Sequence, residues 1–507
     1  MLLLALFFGG GWGLSGADAA RRPNILVILA DDMGIGDLSC LNPQSAWKTP
    51  ALDRLAREGR IFTDAHCASG VCTPSRYALL TGRYPWRGRL KQGVLRGYDP
   101  ALIEPGRLTV PGLLRQHGYV TAMVGKWHLG IDWVKTGPAL EAVDFSRPYG
   151  GGPTAHGFDS FFGIAASLDM PAYYYMENDR VVQVPSGQVA ASLKPPMWRA
   201  GPISPDFRHE DVLGRLVERS LSFLDERAQA KDGKPFFLYL ALTAPHTPIV
   251  PTSKFRGRSG TNAYGDFAME VDARVGEILA RLDATGQGER TLVIFTADNG
   301  FAPVGNLPEL RSFGHEPSAG FRGHKADLYE GGTRIPFLAR WPGVVPAGTR
   351  SGALIAQVDL LATCAELVGA RLPDASGEDS VSHLSALSAE SATAPERTPL
   401  VLQSSNGSFA IREGRWKLCL CPGSGGWSYP HPEKDDTSRM PRFQLYDLEK
   451  DPGETRNLME SEVEVVQRLG RRLRSYIESG RSTPGAPQPT VRADPWPQVA
   501  WMSEFGP

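Results

Sequence analysis

Five short runs of the chain are almost wholly apolar and rich in β-branched or aromatic residues: "NILVILA" (24–30), "VTAMVG" (120–125), "PFFLYLAL" (235–242), "TLVIFTA" (291–297) and "IPFLARW" (335–341). A strand with one wet face alternates apolar with polar residues, so runs without alternation belong to strands covered on both sides. Between them lie segments with helical spacing, "PALDRLAREG" (50–59), "VPGLLRQHG" (110–118), "DVLGRLVERSLSFLDERAQ" (211–229) and "GDFAMEVDARVGEILARLDATG" (265–286). This alternation predicts an α/β fold over residues 21–385, a large mixed, mostly parallel sheet sandwiched by helices. The stretch "SGEDSVSHLSALSAESATAPERT" (376–398) is small, polar and aperiodic, and reads as a linker. Beyond it, "SFAIREGRWKLCL" (408–420) has the pattern of a β-hairpin, and "FQLYDLEKDPGETRNL" (443–458) of a strand and a turn. In "EVEVVQRLGRRLRSYIESG" (462–480), Val466, Leu469, Leu473 and Ile477 share one helical face. Residues 386–481 therefore predict a smaller C-terminal α+β domain of antiparallel strands and one helix. Residues 482–507 are a proline-rich extension with an extended conformation expected.

The N-terminal "MLLLALFFGGGWGLSGADAA" changes the picture of where the chain works. An apolar run followed by small residues and Ala-Asp-Ala reads as a signal peptide, residues 1–20, cleaved near Ala19. The expectation is an exported protein, in the periplasm, outside the cell or in a lysosome according to the host. No later run is long and apolar enough to span a membrane. A formal net charge of −1 gives no overall pull toward nucleic acid or anionic lipid. Six cysteines in 507 residues are too few for a disulfide scaffold.

In open parallel sheets, ligands gather outside the carboxyl ends of the strands. The residues at those ends are Asp31-Asp32 after the first run, Lys126-Trp127-His128 after the second, His246 after the third and Asp298-Asn299 after the fourth. Three carboxylates and an amide, without a His–Cys cluster, make a hard oxygen site suited to Ca²⁺ or Mg²⁺. Lys126, His128, His246 and Lys325 add positive groups to the same rim, which predicts a site for a small anion. One more stretch, "CTPSRYALLTGR" (72–83), opens a predicted helix with Thr73 as N-cap, Pro74 at its first position and Gly82 at its end. Cys72 would then stand at a positive helix end with Arg76 and Arg83 behind it, where a thiol should be reactive.

These motifs resemble the sulfatase family of the alkaline-phosphatase superfamily, arylsulfatase-like and formylglycine-dependent. "CTPSR" with "LLTGR" matches the family signature, and "PNILVILADDMGIGDL", "GKWHLG", "FTADNG" and "YEGG" follow in the expected order over residues 23–460. The resemblance implies hydrolysis of sulfate esters. Cys72 would be converted to Cα-formylglycine by a formylglycine-generating enzyme, acting on the unfolded chain during export. One hydroxyl of the hydrated aldehyde attacks sulfur; loss of a proton from the other releases the sulfate. By motif position, Asp31, Asp32, Asp298 and Asn299, with an oxygen of residue 72, resemble the ligands of one Ca²⁺ per chain. Arg76 resembles the arginine that steadies them, Lys126 the lysine bridging residue 72 and sulfate, and His128 the base. His246 and Lys325 look like the sulfate-binding pair near the leaving oxygen. Ser167 falls where arylsulfatase-like members carry a sulfate-contacting serine, although its neighbours depart from that pattern. The tyrosines and tryptophans of residues 132–153 and 169–202 suit stacking on sugar rings or an aryl group, and the expected substrate is a sulfated carbohydrate. Two other readings remain: a phosphodiester or phosphonate monoester hydrolase of the same superfamily, and a non-catalytic carbohydrate-binding protein on a sulfatase scaffold, with Cys72 unmodified or bridged to Cys67.

Overall fold

The computed structural model describes residues 22–388, 397, 399–491 and 493–506. The expected signal segment 1–20 lies outside the described residues. At the centre of a ten-stranded sheet, Asn24–Asp31 pairs in parallel with Phe236–Pro245 on one side and Thr291–Ala297 on the other. Val120–Lys126 and then Ser160–Ile164 continue the parallel run beyond Phe236–Pro245. On the far side, Phe337–Arg340 pairs antiparallel with Thr291–Ala297 and with Arg60–Phe62. The sheet is thus mixed and mostly parallel, as the uninterrupted apolar runs require. Ser160–Ile164 carries no such signal: five residues with a central glycine are too short to show a period.

Side chains of the central strand divide strictly by parity. Leu26, Ile28 and Ala30 enter one core, with Leu52 and Leu55 of helix Pro50–Glu58, Leu216 and Leu224 of Val212–Gln229, and Val271 and Ile278 of Ala263–Ala284. Ile25, Val27 and Leu29 enter the other, with Leu79 and Leu80 of helix Cys72–Thr81, Leu113 and Leu114 of Val110–Gln116, and Leu361 and Cys364 of Leu360–Leu367. Each fully buried side chain of this size contributes roughly 1.5–3 kcal/mol, so the central strand helps to hold both helix layers, together with its neighbours in the sheet.

A third core lies under the four-stranded antiparallel sheet Leu400–Gln403, Phe409–Glu413, Trp416–Cys419 and Gln444–Asp447. Helix Val463–Ser479 covers it with Val466, Leu469, Leu473 and Ile477. Two expectations change here. The segment expected as a linker is partly built into the fold: Glu378 and Asp379 are buried, Asp379 pairs with Arg87 at 2.7 Å, and helix Leu384–Ser388 spans the expected boundary at 385. Small polar composition hid this, because the segment is anchored by buried ion pairs rather than by apolar periodicity. The C-terminal extension is not wholly extended either. Its 3₁₀ turn Pro497–Glu504 sends Trp501 into the third core, and Phe505 follows it.

Candidate active site

Helix Cys72–Thr81 begins two residues earlier than expected. Val71 is the extended N-cap residue, Cys72 is the first helical residue, and Pro74 falls within the first turn, where no backbone N–H is needed. The Thr73 hydroxyl instead accepts from the Leu95 amide at 3.2 Å. Gly82 closes the helix in the left-handed conformation at φ 63°, as its sequence position implied. Arg76 and Arg83, four and eleven residues beyond the cysteine, part company. Arg76 reaches into the rim of the sheet, while Arg83 pairs with Glu104 at 2.9 Å and with Glu378.

The Lys126 ammonium donates to Asp31 Oδ2 at 2.7 Å, and the Cys72 thiol to Asp31 Oδ1 at 3.7 Å. Arg76 donates to Asp298 Oδ2 through Nε at 3.0 Å and Nη2 at 2.7 Å, and through Nη1 to the Lys126 carbonyl at 2.9 Å. The other oxygen of Asp298 accepts from the Asp32 amide at 3.2 Å. Asp32 in turn accepts from Asn299 Nδ2 at 2.7 Å and from Lys325 at 2.8 Å, with His246 Nε2 at 3.5 Å. The Lys325 ammonium also reaches Cys72 Sγ at 3.6 Å. Nine expected residues thus form one buried network. His128 joins it through the Leu95 carbonyl, which accepts from its Nε2 at 2.8 Å and belongs to the residue that binds Thr73. Ser167 is buried near the rim, because Trp127 and His128 donate to the carbonyls of Ile164 and Ala165, but its hydroxyl makes no hydrogen bond within the protein.

Burial opposes charge throughout this network, and the sign at each group follows from its neighbours. Burial raises the Asp31 carboxyl, but Lys126, His246, Arg76 and Lys325 outweigh it and hold the group well below the usual carboxylate range. Asp298 is raised, by burial and by the adjacent Asp31. Burial also lowers His128, and Lys126 and Arg76 push it further down, so the imidazole is neutral. With its Nε2 hydrogen given to Leu95, the Nδ1 lone pair is left without a partner. The Cys72 thiol, expected to be reactive, is instead pushed up to about 12 by burial, despite Lys126 and Lys325. None of the six cysteines is in a disulfide, so the Cys67–Cys72 bridge does not form.

Ligating atoms of Asp31, Asp32, Cys72 and His246 all lie within 4.8 Å of one another. Asn299 Oδ1 is buried with no donor facing it. An orphaned acceptor among carboxylates is what a hard cation would satisfy. A second cluster, Asp64, His66 and Glu330, has ligand spacing too, yet Arg334, Arg412 and Lys417 already occupy its oxygens as an ion-pair network.

Three rim residues that are not glycine hold positive φ: Asp32 at 64°, His128 at 57° and Ala326 at 82°. Such conformations cost about 1–3 kcal/mol each and persist only where the surroundings enforce them. At Asp32 the enforcing groups went unnoticed in the sequence. Tyr264 donates to the Asp32 carbonyl and to Asp37, whose other carboxylate oxygen meets His315 Nε2 at 2.9 Å. Asp37 sits within the quoted "GIGDL", but nothing local marks Tyr264 or His315, which arrive from distant elements.

The family model described as Sulfatase matches residues 23–370. An N-acetylgalactosamine-6-O-sulfatase of Bacteroides thetaiotaomicron is 34% identical, covering 90% of this chain and 93% of that protein. Arylsulfatase A of Homo sapiens is 35% identical over 90% of this chain and 86% of its own length. A solved Bacteroides thetaiotaomicron structure, from work on glycosaminoglycan metabolism, superposes with a TM-score of 0.79 at 33% identity, over 90% of this chain and 99% of that one.

Proposed function

The chain belongs to the sulfatase family and hydrolyses sulfate esters, and from that premise we propose that residue 72 is its nucleophile and a sulfated carbohydrate its substrate. The observation that carries the reading is the placement of Cys72. It is the first residue of a helix, within hydrogen-bonding reach of Lys325 and Asp31, in a pocket where cations and carboxylates alternate. The carbohydrate class follows from the Bacteroides relative, which is an N-acetylgalactosamine-6-O-sulfatase. Conversion of Cys72 to Cα-formylglycine would supply a hydrated aldehyde whose two hydroxyls permit attack and then release. A calcium ion, held by Asp31, Asp32, Asp298, Asn299 and the oxygen of residue 72, would supply Lewis-acid polarisation of a sulfate oxygen. The orphaned Asn299 oxygen supports that ligand set.

The chain's own residues do the rest. Lys126, paired with Asp31, and Lys325, in reach of residue 72, neutralise sulfate charge, assisted by backbone N–H groups at the helix start. Arg76 fixes Asp298 through two hydrogen bonds and keeps the carboxylates apart. His128 Nδ1 accepts the proton released from residue 72, being neutral and unpartnered. His246 and Lys325, both beside Asp32, are the proposed proton donors to the departing alcohol oxygen, and Ser167 offers a free hydroxyl to sulfate. Export, with processing by a formylglycine-generating enzyme, accompanies this reading.

Two measurements test it. Peptide mass spectrometry of residue 72 in protein from a host with the modifying enzyme should show sulfur replaced by an aldehyde oxygen; an intact thiol in active protein sinks the nucleophile. Calcium titration after chelation should restore sulfate release, and Asn299→Ala should need at least about tenfold more calcium. Activity indifferent to both would remove the cation.

A further inference from the structure

Among the described residues, the most exposed large apolar side chains include Trp427, 47% exposed, and Tyr429, 71% exposed. Both lie on one loop of the C-terminal sheet, and that loop is not free. The Asp327 carboxylate is fully buried and accepts three backbone hydrogens. Trp427 donates to Oδ1 at 2.8 Å, Ser428 to the same oxygen at 3.1 Å, and His324 to Oδ2 at 2.8 Å. Leu328 adds a hydrogen bond to the Ser424 carbonyl at 2.9 Å.

The clasp is also tight sterically. A Cβ on Gly426 would lie 2.4 Å from the Ala326 carbonyl carbon, and one on Gly70 would lie 2.9 Å from the same atom. Ala326 is therefore pressed between the residue before Trp427 and the residue two before Cys72, while Lys325, next in the chain, reaches the Cys72 sulfur. The backbone that carries a half-exposed indole is thus tied to the same short segment that carries a sulfate-side lysine. Across the rim, Met197, also exposed, gives its carbonyl to the Thr247 hydroxyl, next to His246.

We infer that Trp427 is a stacking face for the sugar ring bearing the sulfate, on a loop whose backbone the Asp327 carboxylate anchors. A pyranose has an apolar face of C–H bonds with hydroxyls at its edge. An indole on an anchored backbone, with few side-chain torsions to fix, covers such a face at little entropic cost. This deepens the carbohydrate reading and rests on it.

The test compares wild type, Trp427→Ala and Trp427→Phe on N-acetylgalactosamine 6-sulfate, with competitive inhibition by inorganic sulfate and by unsulfated N-acetylgalactosamine. Trp427→Ala should raise KM about tenfold and weaken inhibition by the free sugar by the same factor, in the range seen for loss of an aromatic stacking partner. Its kcat and its inhibition by sulfate should stay within about twofold, and Trp427→Phe should recover most of the loss. Unchanged KM and sugar inhibition in Trp427→Ala would overturn the inference, as would equal weakening of sulfate and sugar inhibition, or a phenylalanine no better than alanine. A wild type that releases sulfate from an aryl ester but from no sulfated sugar would instead bring down the carbohydrate reading, and the stacking face with it.

Discussion

His128 illustrates how one side chain's chemistry is set by its surroundings. Burial, Lys126 and Arg76 keep its ring neutral, and the Leu95 carbonyl fixes which nitrogen carries the hydrogen. Replacing it by alanine removes the proposed base without touching the sulfate-side lysines. The expected result is a kcat lower by about 10²–10⁴-fold with KM changed only a few fold, in steady-state assays. Cys72 makes the converse case. With its thiol pushed up to about 12, fewer than about one molecule in a thousand is thiolate at pH 8. Unmodified folded protein should therefore resist iodoacetamide at this residue, and unfolded protein should not, as read by peptide mapping. Asp31, Asp32, Lys126, His128, Asp298 and Asn299 were legible in the sequence because they stand at the ends of apolar runs. Their supports were not: Tyr264 and His315 reach Asp37 only through the fold.

Where the C-terminal sheet meets the rest of the chain, an ionic seam lies beside the apolar third core. Lys417 lies between Glu330 at 3.0 Å and Glu454 at 2.9 Å, and Glu454 also accepts from the Glu330 amide. Burial raises Glu330, but Lys417 and the flanking arginines hold it ionised well below the usual range. Glu454, buried beside that charge, is raised to about 7. The sign follows directly. Between about 4.5 and 7 the folded chain keeps a proton on Glu454 that the unfolded chain has lost, so this group stabilises the fold at lower pH and stops doing so above about 7. Glu454→Gln should therefore lose less thermal stability than wild type between pH 5.5 and 8; equal losses would show that the proton is not there. Hairpin and helix of this unit were readable from alternation and 3.6-residue spacing. The ion-pair seam was not, since Lys417 looks like any outward-facing strand residue until Glu330 is brought against it from far upstream.

At the scale of the whole molecule, the last residues are part of the structure rather than a trailing end. Trp501 and Phe505 complete the third core, Phe505 packs on Gly470, and the carbonyl of Pro489 accepts from Arg83 at 3.0 Å. A chain ending at residue 481 should expose that core and associate, eluting early from a sizing column, whereas a dispensable extension would leave a monodisperse peak unchanged. Proline-rich sequence concealed this docking, because the two aromatic anchors lie beyond the prolines and show no period of their own. The central strand carries a wider implication. Residues 25 to 30 feed two separate apolar masses in turn, and the same strand ends in Asp31 and Asp32. Neither helical layer can soften by itself without disturbing the acids, so turnover becomes a sensor of global cooperativity, extinguished as a unit rather than dimmed by degrees.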